Sequence, residues 1–142
     1  MKIVDLNVLL YVVNESAAQH DAILEWWLDA IDGDESIGLP WTVLLGFLRL
    51  STNAAVFPKP ISHRDALDKV DAWLSLPIVH VPTEKEDHWS VLSGLLQEAG
   101  VAGNLTTDAH LAALALTRDA VLVSCDNDFA RFKGLRYLNP LK

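Results

Sequence analysis

The stretch Ala120-Val121-Leu122-Val123-Ser124-Cys125-Asp126-Asn127-Asp128 runs from an apolar segment directly into two carboxylates. A short apolar run bounded by turn-forming residues is typical of a buried strand. The segment Lys2-Ile3-Val4-Asp5, near the other end of the chain, also passes from apolar residues into an aspartate. In a parallel sheet, such aspartates lie at the carboxyl ends of the strands, which is the edge where ligands bind.

Predicted strands and helices alternate between these two segments. Further strands are predicted at 36–39, 78–81 and 135–138. Helices are predicted over 7–13, from a Ser16 cap to about Ile31, from Pro40 through 41–50, after a Ser62 cap, from a Thr83–Glu86 capping box to about Glu98, and over 109–116 with Thr107 as cap. The sequence therefore predicts an α/β fold in one domain covering residues 1–142, with a mainly parallel sheet of four to five strands and helices on both faces.

The composition excludes several classes of protein. A chain of 142 residues with 51% hydrophobic residues and a mean hydropathy of +0.22 can bury a core and is not a disordered tail. Its one cysteine, Cys125, excludes an internal disulfide framework and a multi-cysteine zinc site. No apolar run has a membrane-spanning length, and the first residues do not resemble a signal peptide, so we expect a cytoplasmic protein.

The net charge of −8 argues against a simple nucleic-acid binder, but the charge is unevenly distributed. The last thirteen residues, 130–142, contain four basic residues and no acid. A solvated surface and a phosphate-contacting role are equally compatible with this basic segment.

Four aspartates carry the functional prediction: Asp5, Asp108, Asp126 and Asp128. Taken singly, each has a structural explanation, because short polar residues cap helices and form turns, and a carboxylate in a first helical turn is favoured by the helix dipole. Taken together, they come from three separate segments that are predicted to reach one edge of the sheet. Carboxylates brought together would repel one another unless a divalent cation such as Mg²⁺ neutralised them, which suits metal-assisted phosphoryl chemistry.

Four ordered segments also match a known family pattern. They are D-L-N-V-L-L-Y at 5–11, L-P-W-T-V-L-L-G-F-L-R-L-S-T-N at 39–53, G-N-L-T-T-D-A-H-L-A-A-L-A at 103–115 and S-C-D-N-D-F-A-R-F at 124–132. The closing G-L-R-Y-L-N-P-L at 134–141 fits as well. With these segments the chain resembles PIN-domain proteins, and among them the toxin ribonucleases of VapBC toxin–antitoxin systems.

The resemblance implies a PIN fold and endonucleolytic cleavage of RNA by a water activated by Mg²⁺ or Mn²⁺. It also implies a cognate antitoxin that blocks the site, and a homodimer. Matched by position, Asp5, Asp108 and Asp126 are the catalytic and metal-binding acids. Asp128 is the second acid of the D-x-D element, and it either binds metal through water or caps the following turn.

Four further residues are candidates for contacting the substrate or supporting the acids: Asn7, Arg49, Thr107 and Ser124. Arg49 is the only charged residue between Glu35 and Lys59, so we expect it either to extend to solvent or to find a partner, with a salt bridge favoured over a phosphate contact. For Thr107, helix capping is favoured over a substrate role. His110 has no ligand cluster around it in the sequence, so we expect it to pack or to be exposed at the surface. Cys125 has no obvious histidine partner, so we expect a buried, inert thiol.

The chain departs from the family pattern at Gly46, near the position where most PIN domains carry a glutamate. The loss of this carboxylate puts a tightly held second metal in doubt. It leaves open the alternative of a non-catalytic PIN-like module that binds a partner. Phosphatase chemistry of the haloacid-dehalogenase type, which also begins at a strand-ending aspartate, is disfavoured because position 7 is asparagine.

Overall fold

The computed structural model describes residues 1–142 as one α/β domain. Five strands form its sheet: β1 (Lys2–Val4), β2 (Ile37–Gly38), β3 (Val79–His80), β4 (Val121–Val123) and β5 (Arg136–Leu138). Six α-helices surround the sheet: α1 (Leu6–Val13), α2 (His20–Ile31), α3 (Trp41–Ser51), α4 (His63–Leu74), α5 (His88–Ala99) and α6 (Thr106–Leu116). The predicted α/β class and the upper strand count are confirmed.

The sheet is entirely parallel, with strand order β3-β2-β1-β4-β5. The chain adds β2 and β3 on one side of β1, and then crosses to place β4 and β5 on the other side. The strand order therefore reverses between β1 and β4, whose last residues, Val4 and Val123, are in register. In open α/β sheets, the crevice at such a switch point is the usual place for a ligand.

The core lies on both faces of the central strands. Ile3, Val4, Leu122 and Val123 have no exposed surface, as expected for strands covered on both sides. Helix α1 packs on α2 and on α3, α3 packs on α4, and α5 packs on α6 as a second group. Helix α6 is buried around most of its circumference, so the first turn that carries Asp108 is held firmly in place.

Three predicted helix starts are wrong. Helix α2 begins at His20 rather than Ser16, because residues 14–17 form a turn in which Asn14 accepts hydrogen bonds from the backbone N–H groups of Ser16 and Ala17. Helix α5 begins at His88 rather than after Thr83, because the carbonyl of Thr83 is held outside the helix by the guanidinium of Arg118.

The third correction concerns Thr107. A short 3-10 helix, Gly103–Leu105, leads straight into α6, so α6 begins at Thr106 without a side-chain cap. Thr107 is an exposed residue inside the helix, not its cap. The predicted cap at Ser62 is confirmed, since its Oγ accepts a hydrogen bond from the backbone N–H of Asp65 at 3.1 Å.

Candidate active site

Asp5 lies at the end of β1, where the chain turns into α1. Its backbone N–H continues the sheet ladder by donating to the carbonyl of Val123, and its Oδ1 accepts from the backbone N–H of Leu6 at 2.7 Å. Only 8% of the residue is exposed, and this burial is the main cause that raises the pKa of its carboxyl above the ordinary value. Asp5 is therefore both the N-cap of α1 and a candidate site carboxylate.

Ser124, the first residue after β4, holds the other oxygen of Asp5. The Ser124 hydroxyl donates to Asp5 Oδ2 at 2.7 Å and is completely buried. The same Oγ accepts from the side-chain amide of Asn7 at 3.2 Å and from the backbone N–H of Asp126 at 3.0 Å. One hydroxyl thus connects the carboxyl ends of the two strands at the switch point.

Asn7 completes this connection from the first turn of α1. Its Oδ1 accepts from the backbone N–H of Cys125 at 3.1 Å, while its Nδ2 reaches Ser124. Both polar atoms of the asparagine are therefore used to fix the loop after β4. Of the candidate supporting residues, the structure brings Ser124 directly against Asp5 and Asn7 against Ser124.

Asp126 and Asp128 are placed by the turn that follows. Asp126 Oδ1 accepts from the backbone N–H of Asp128 at 2.9 Å and so caps the short 3-10 helix Asn127–Arg131. The intervening Asn127 is tied to the end of the chain, because its Oδ1 accepts from Tyr137, Asn139 and Lys142. The D-x-D element is thereby anchored on a rigid turn.

Asp108 approaches the same edge from the first turn of α6. Burial, followed by the negative charges of Asp5, Asp126 and Asp128, raises the pKa of its carboxyl to about 6. The four predicted acids therefore lie close enough to act on one another electrostatically. None of them forms an ion pair with a lysine, arginine or histidine.

A cleft of about 320 Å³ opens beside these acids. It is lined by Asp108 and Asp128, by residues 101–105 at the start of α6, and by Arg131. Arg131 was not among the residues selected from the sequence. The available signal was its place on the D-x-D segment, three residues after Asp128, which is one turn of a 3-10 helix.

Gly46 lies against Leu6, the residue that follows Asp5 in the chain. A Cβ built on Gly46 would lie 2.8 Å from Leu6 Cδ2, so the glycine permits a close contact between α3 and the first residue of α1. Leu6 occupies the space into which a longer side chain at position 46 would extend. The residue type at position 46 is therefore linked by packing to Leu6, which is next to Asp5.

The structure does not bring the remaining candidates into the site. Arg49 is exposed on α3, lines a surface groove with residues of α4 and forms no salt bridge, so of the expected alternatives it extends to solvent. Thr107 is exposed on α6 and makes no side-chain hydrogen bond to the acids. The thiol of Cys125 is half-buried, and burial raises its pKa to about 11, so it is protonated and unreactive at neutral pH.

His110 has a partner that the sequence did not indicate. His88 Nε2 lies 2.9 Å from His110 Nδ1, with the rings edge to face, and Glu84 lies 3.6 Å from His110 Nε2. Burial, followed by the neighbouring His88, lowers the pKa of His110. The pair joins α5 to α6 and supports the prediction of a packing role for His110.

The largest concave surface lies away from the acids. It is a groove of about 720 Å³ between the end of α1, α2 and α4, and it is lined mainly by apolar side chains. The edge-to-face pair of Trp27 and Trp73 contributes to its lining, and Leu28 on its wall is 51% exposed. We call this surface the α2–α4 groove.

The acidic residues suit an open cation site better than a closed one. No group of three or more histidine, cysteine or acidic side chains within residues 1–142 is arranged so that it could hold a metal ion by itself. Mg²⁺ commonly binds through one or two carboxylates and completes its shell with water and substrate phosphate, so it does not need a closed protein cage. Hard oxygen donors that no protein cation neutralises are the donor set that Mg²⁺ or Mn²⁺ takes.

These features define a class. A parallel α/β sheet with order β3-β2-β1-β4-β5 carries interacting carboxylates from three chain segments at its switch point, with no helix long and apolar enough to cross a membrane. The PIN domain family model matches residues 2–135 of the chain. The protein belongs to the PIN domain family.

Curated relatives match over the whole chain. Ribonuclease VapC33 of Mycobacterium tuberculosis is 42% identical over 142 residues, which cover 100% of this chain and 99% of that protein. Ribonuclease VapC37 of the same species is 41% identical over 140 residues, covering 99% of this chain and 97% of that protein. The resemblance to VapC-type ribonucleases is confirmed at this level of similarity.

Solved structures share the fold at lower sequence identity. The Rickettsia felis VapBC2 complex bound to a DNA fragment from its promoter has a TM-score of 0.69 at 20% identity and covers 97% of both chains. Mycobacterium tuberculosis VapC20, described as a sarcin–ricin loop cleaving toxin, has a TM-score of 0.67 at 19% identity and covers 96% of this chain and 99% of that one. At such identities the likeness concerns the fold.

Proposed function

We propose that this protein is a divalent-metal-dependent endoribonuclease and the toxin of a type II toxin–antitoxin pair. The single observation that carries the proposal is the group of four carboxylates that act on one another at the β1–β4 switch point without any protein cation to neutralise them. Its similarity to VapC ribonucleases over the full chain supports RNA as the substrate. As a toxin that acts on cellular RNA, it would act in the cytoplasm.

The acids Asp5, Asp108 and Asp126 would hold Mg²⁺ or Mn²⁺, with Asp128 beside them. A bound cation would lower the pKa of an attacking water and neutralise charge on the scissile phosphate. Asp128 also has a structural part, since its backbone N–H is capped by Asp126.

The remaining polar residues orient these acids. Ser124 and the N–H of Leu6 hold the two oxygens of Asp5 in fixed directions, and Asn7 fixes the loop that carries Asp126. Such preorganisation keeps the carboxylates at the site despite their mutual repulsion, which would otherwise push the side chains apart. These residues therefore hold the carboxylates in position. The low exposure of Asp5 keeps water away from the side of its carboxylate that faces the protein core.

The proposal is tested by RNA cleavage with purified protein in Mg²⁺, in Mn²⁺ and in EDTA, on total cellular RNA. We expect cleavage that requires the cation, with Asp5→Asn, Asp108→Asn and Asp126→Asn each at least about a hundredfold slower, since each removes a group that acts on the reacting phosphate. Asp29→Asn, on the exposed face of α2, is the matched control and should keep full activity. Cleavage that survives EDTA or all three site variants would contradict the proposal.

The toxin assignment includes a protein partner, a cognate antitoxin. Structures titled as toxin–antitoxin complexes share this fold, including VapBC-1 of Haemophilus influenzae with a TM-score of 0.68 at 16% identity. The α2–α4 groove is long, apolar and rimmed by charges from Glu15, Asp65, Asp68 and Lys69, which suits an amphipathic helix laid along it. We assign the groove to this partner.

A homodimer is part of the same proposal. Sedimentation of the purified protein between low and high micromolar concentration measures it directly. The alternative of a non-catalytic partner-binding module rests on Gly46 and on the net charge of −8. It predicts that growth inhibition by the expressed protein survives Asp108→Asn and Asp126→Asn.

A further inference from the structure

The four basic residues of the segment 130–142 have different surroundings in the fold. Arg136 is bound to Asp119, with Nη2 at 3.1 Å from Oδ1, and Asp119 precedes β4 at the amino edge of the sheet, opposite the acids. Lys142 Nζ donates to Asn127 Oδ1 at 3.3 Å. Lys133 lines a second cleft that also contains Glu98 and is bordered by Arg131, which therefore lies between that cleft and the acidic one. These three side chains are either engaged with protein groups or turned away from the acidic cleft.

Arg131 differs from the other three. It lines the cleft of about 320 Å³ that also contains Asp108 and Asp128, and it forms neither a salt bridge nor a hydrogen bond with them. A positive charge on the wall of an acidic cleft has thus been left available for another anion.

The backbone that carries Arg131 is rigid. Arg131 ends the 3-10 helix Asn127–Arg131, whose start is capped by Asp126. Phe129 in the middle of this helix has no exposed surface and stacks against Tyr137 of β5. The guanidinium therefore extends from a fixed point next to the D-x-D element, although the side chain itself is exposed.

We propose that Arg131 binds a backbone phosphate of the RNA strand, adjacent to the phosphate held by the acidic residues. This assignment rests on the proposed nuclease function. Guanidinium is planar and carries parallel N–H donors that match a phosphate bidentately, and an exposed arginine loses little hydration when it forms such a contact. The site that repels RNA through its carboxylates in the absence of metal would gain one fixed attraction for the strand.

The contact is tested by the salt dependence of RNA binding, because each phosphate neutralised by a protein cation contributes to the slope of log Kd against log salt. Binding is measured by fluorescence anisotropy with a labelled single-stranded RNA of mixed sequence, in Mg²⁺, with all proteins in an Asp126→Asn background. Adding Arg131→Ala should weaken binding about tenfold at low salt and reduce the slope by about 0.7, the value for one phosphate on a single strand. Arg131→Lys should restore the slope, since the charge remains.

Arg136→Ala is the matched control, because it removes the same charge from the opposite edge of the sheet. Equal effects of Arg131→Ala and Arg136→Ala, or no effect of either, would overturn the proposal for Arg131. Cleavage by the otherwise unmodified protein is assayed in parallel. If no RNA is cut but Arg131→Ala lowers the slope while Arg136→Ala does not, the nuclease function fails and the phosphate contact stands. If RNA is cut and Arg131→Ala leaves the slope unchanged, the nuclease function stands and the phosphate contact fails.

Discussion

The hydroxyl of Ser124 donates a 2.7 Å hydrogen bond to Oδ2 of Asp5, which joins residues 119 positions apart at the carboxyl ends of β4 and β1. This bond lowers the pKa of Asp5, while burial raises it more strongly. Because Ser124 also accepts from Asn7 and from the N–H of Asp126, both lone pairs and the proton of one hydroxyl are used. The geometry of the site therefore depends on a residue that is not itself an acid.

Ser124→Ala should lower both stability and activity. It leaves a buried carboxylate without its donor, which costs about 1–3 kcal/mol of unfolding free energy. The pKa of Asp5 should rise, so the pH profile of RNA cleavage should move to higher pH. Thermal melts and cleavage rates between pH 5 and 9 measure the two effects. Ser93→Ala, which removes an exposed hydroxyl of α5 bonded only within its own helix, should change neither.

The raised pKa of Asp108 predicts how the metal-free protein responds to pH. Its folded value of about 6 lies above the ordinary 3.8, so the folded state binds the proton more tightly and stability falls as pH rises from about 4 to about 6. Above pH 6 the loss of unfolding free energy caused by ionising Asp108 stays constant. Allowing for solvent screening at this partly exposed group, the loss amounts to about 1 kcal/mol. Melts in EDTA across this range should reveal the decline, and Asp108→Asn should abolish most of it.

Mg²⁺ or Mn²⁺ should reverse that cost. A cation that binds only the folded protein stabilises it, and by holding Asp108 ionised it should lower the pKa of that carboxyl. We expect the melting temperature at pH 7.5 to rise with millimolar cation in the unmodified protein and in Asp29→Asn. The rise should be much smaller in Asp108→Asn and in Asp126→Asn. Equal shifts in all four proteins would mean that the cation binds somewhere other than at the four acids.

Asp5→Asn should behave differently from Asp108→Asn, although both remove one charge. At position 108 the amide relieves repulsion and costs no hydrogen bond in the structure. At position 5 the amide nitrogen would face Ser124, whose Oγ already accepts two hydrogen bonds, or else the N–H of Leu6. We therefore expect Asp5→Asn to be less stable than Asp108→Asn by about 1 kcal/mol at pH 7.5 in EDTA, measured by denaturant titration. Equal stabilities would contradict the assigned hydrogen bonds.

The local part of this site could be predicted from the sequence. Asp5 and Asp126 follow apolar strands directly, and Asp108 follows a helix start, so their places at the carboxyl edge depend on neighbouring residues alone. The reversal of strand order between β1 and β4, by contrast, depends on which strands pair, and the short apolar runs do not specify this. Ser124 was a candidate, but its contact with Asp5 is set by that same pairing.

The errors have the same origin. Thr83 and Ser16 have the local signature of caps, but the carbonyl of Thr83 is bound by Arg118, 35 residues away, and Ser16 belongs to a turn organised by Asn14. The contact between Gly46 and Leu6 joins two helices, and sequence alone identified only the missing acid at position 46. In each of these cases, a contact with a residue outside the local signature decided the outcome.

The α2–α4 groove predicts a substitution that separates partner binding from catalysis. Leu28→Glu places a charge on the apolar wall of the groove, and since the side chain is 51% exposed the fold should be retained. Capture of the co-expressed antitoxin should weaken at least tenfold, because a buried unpaired carboxylate opposes docking. RNA cleavage by the isolated protein should stay unchanged, so the expressed variant should be toxic even with its antitoxin present.

The Gly46–Leu6 contact predicts a coupled pair of substitutions. Gly46→Ala gains about 1 kcal/mol of helix propensity but brings its Cβ against Leu6 Cδ2, and the resulting strain offsets the gain. In a Leu6→Ala background the space is free, so the same Gly46→Ala change should stabilise the protein by about 1 kcal/mol. A double-mutant cycle by denaturant unfolding measures the difference as a coupling energy. Additive effects would mean that Leu6 adjusts without cost, and position 46 would then be open to a longer side chain.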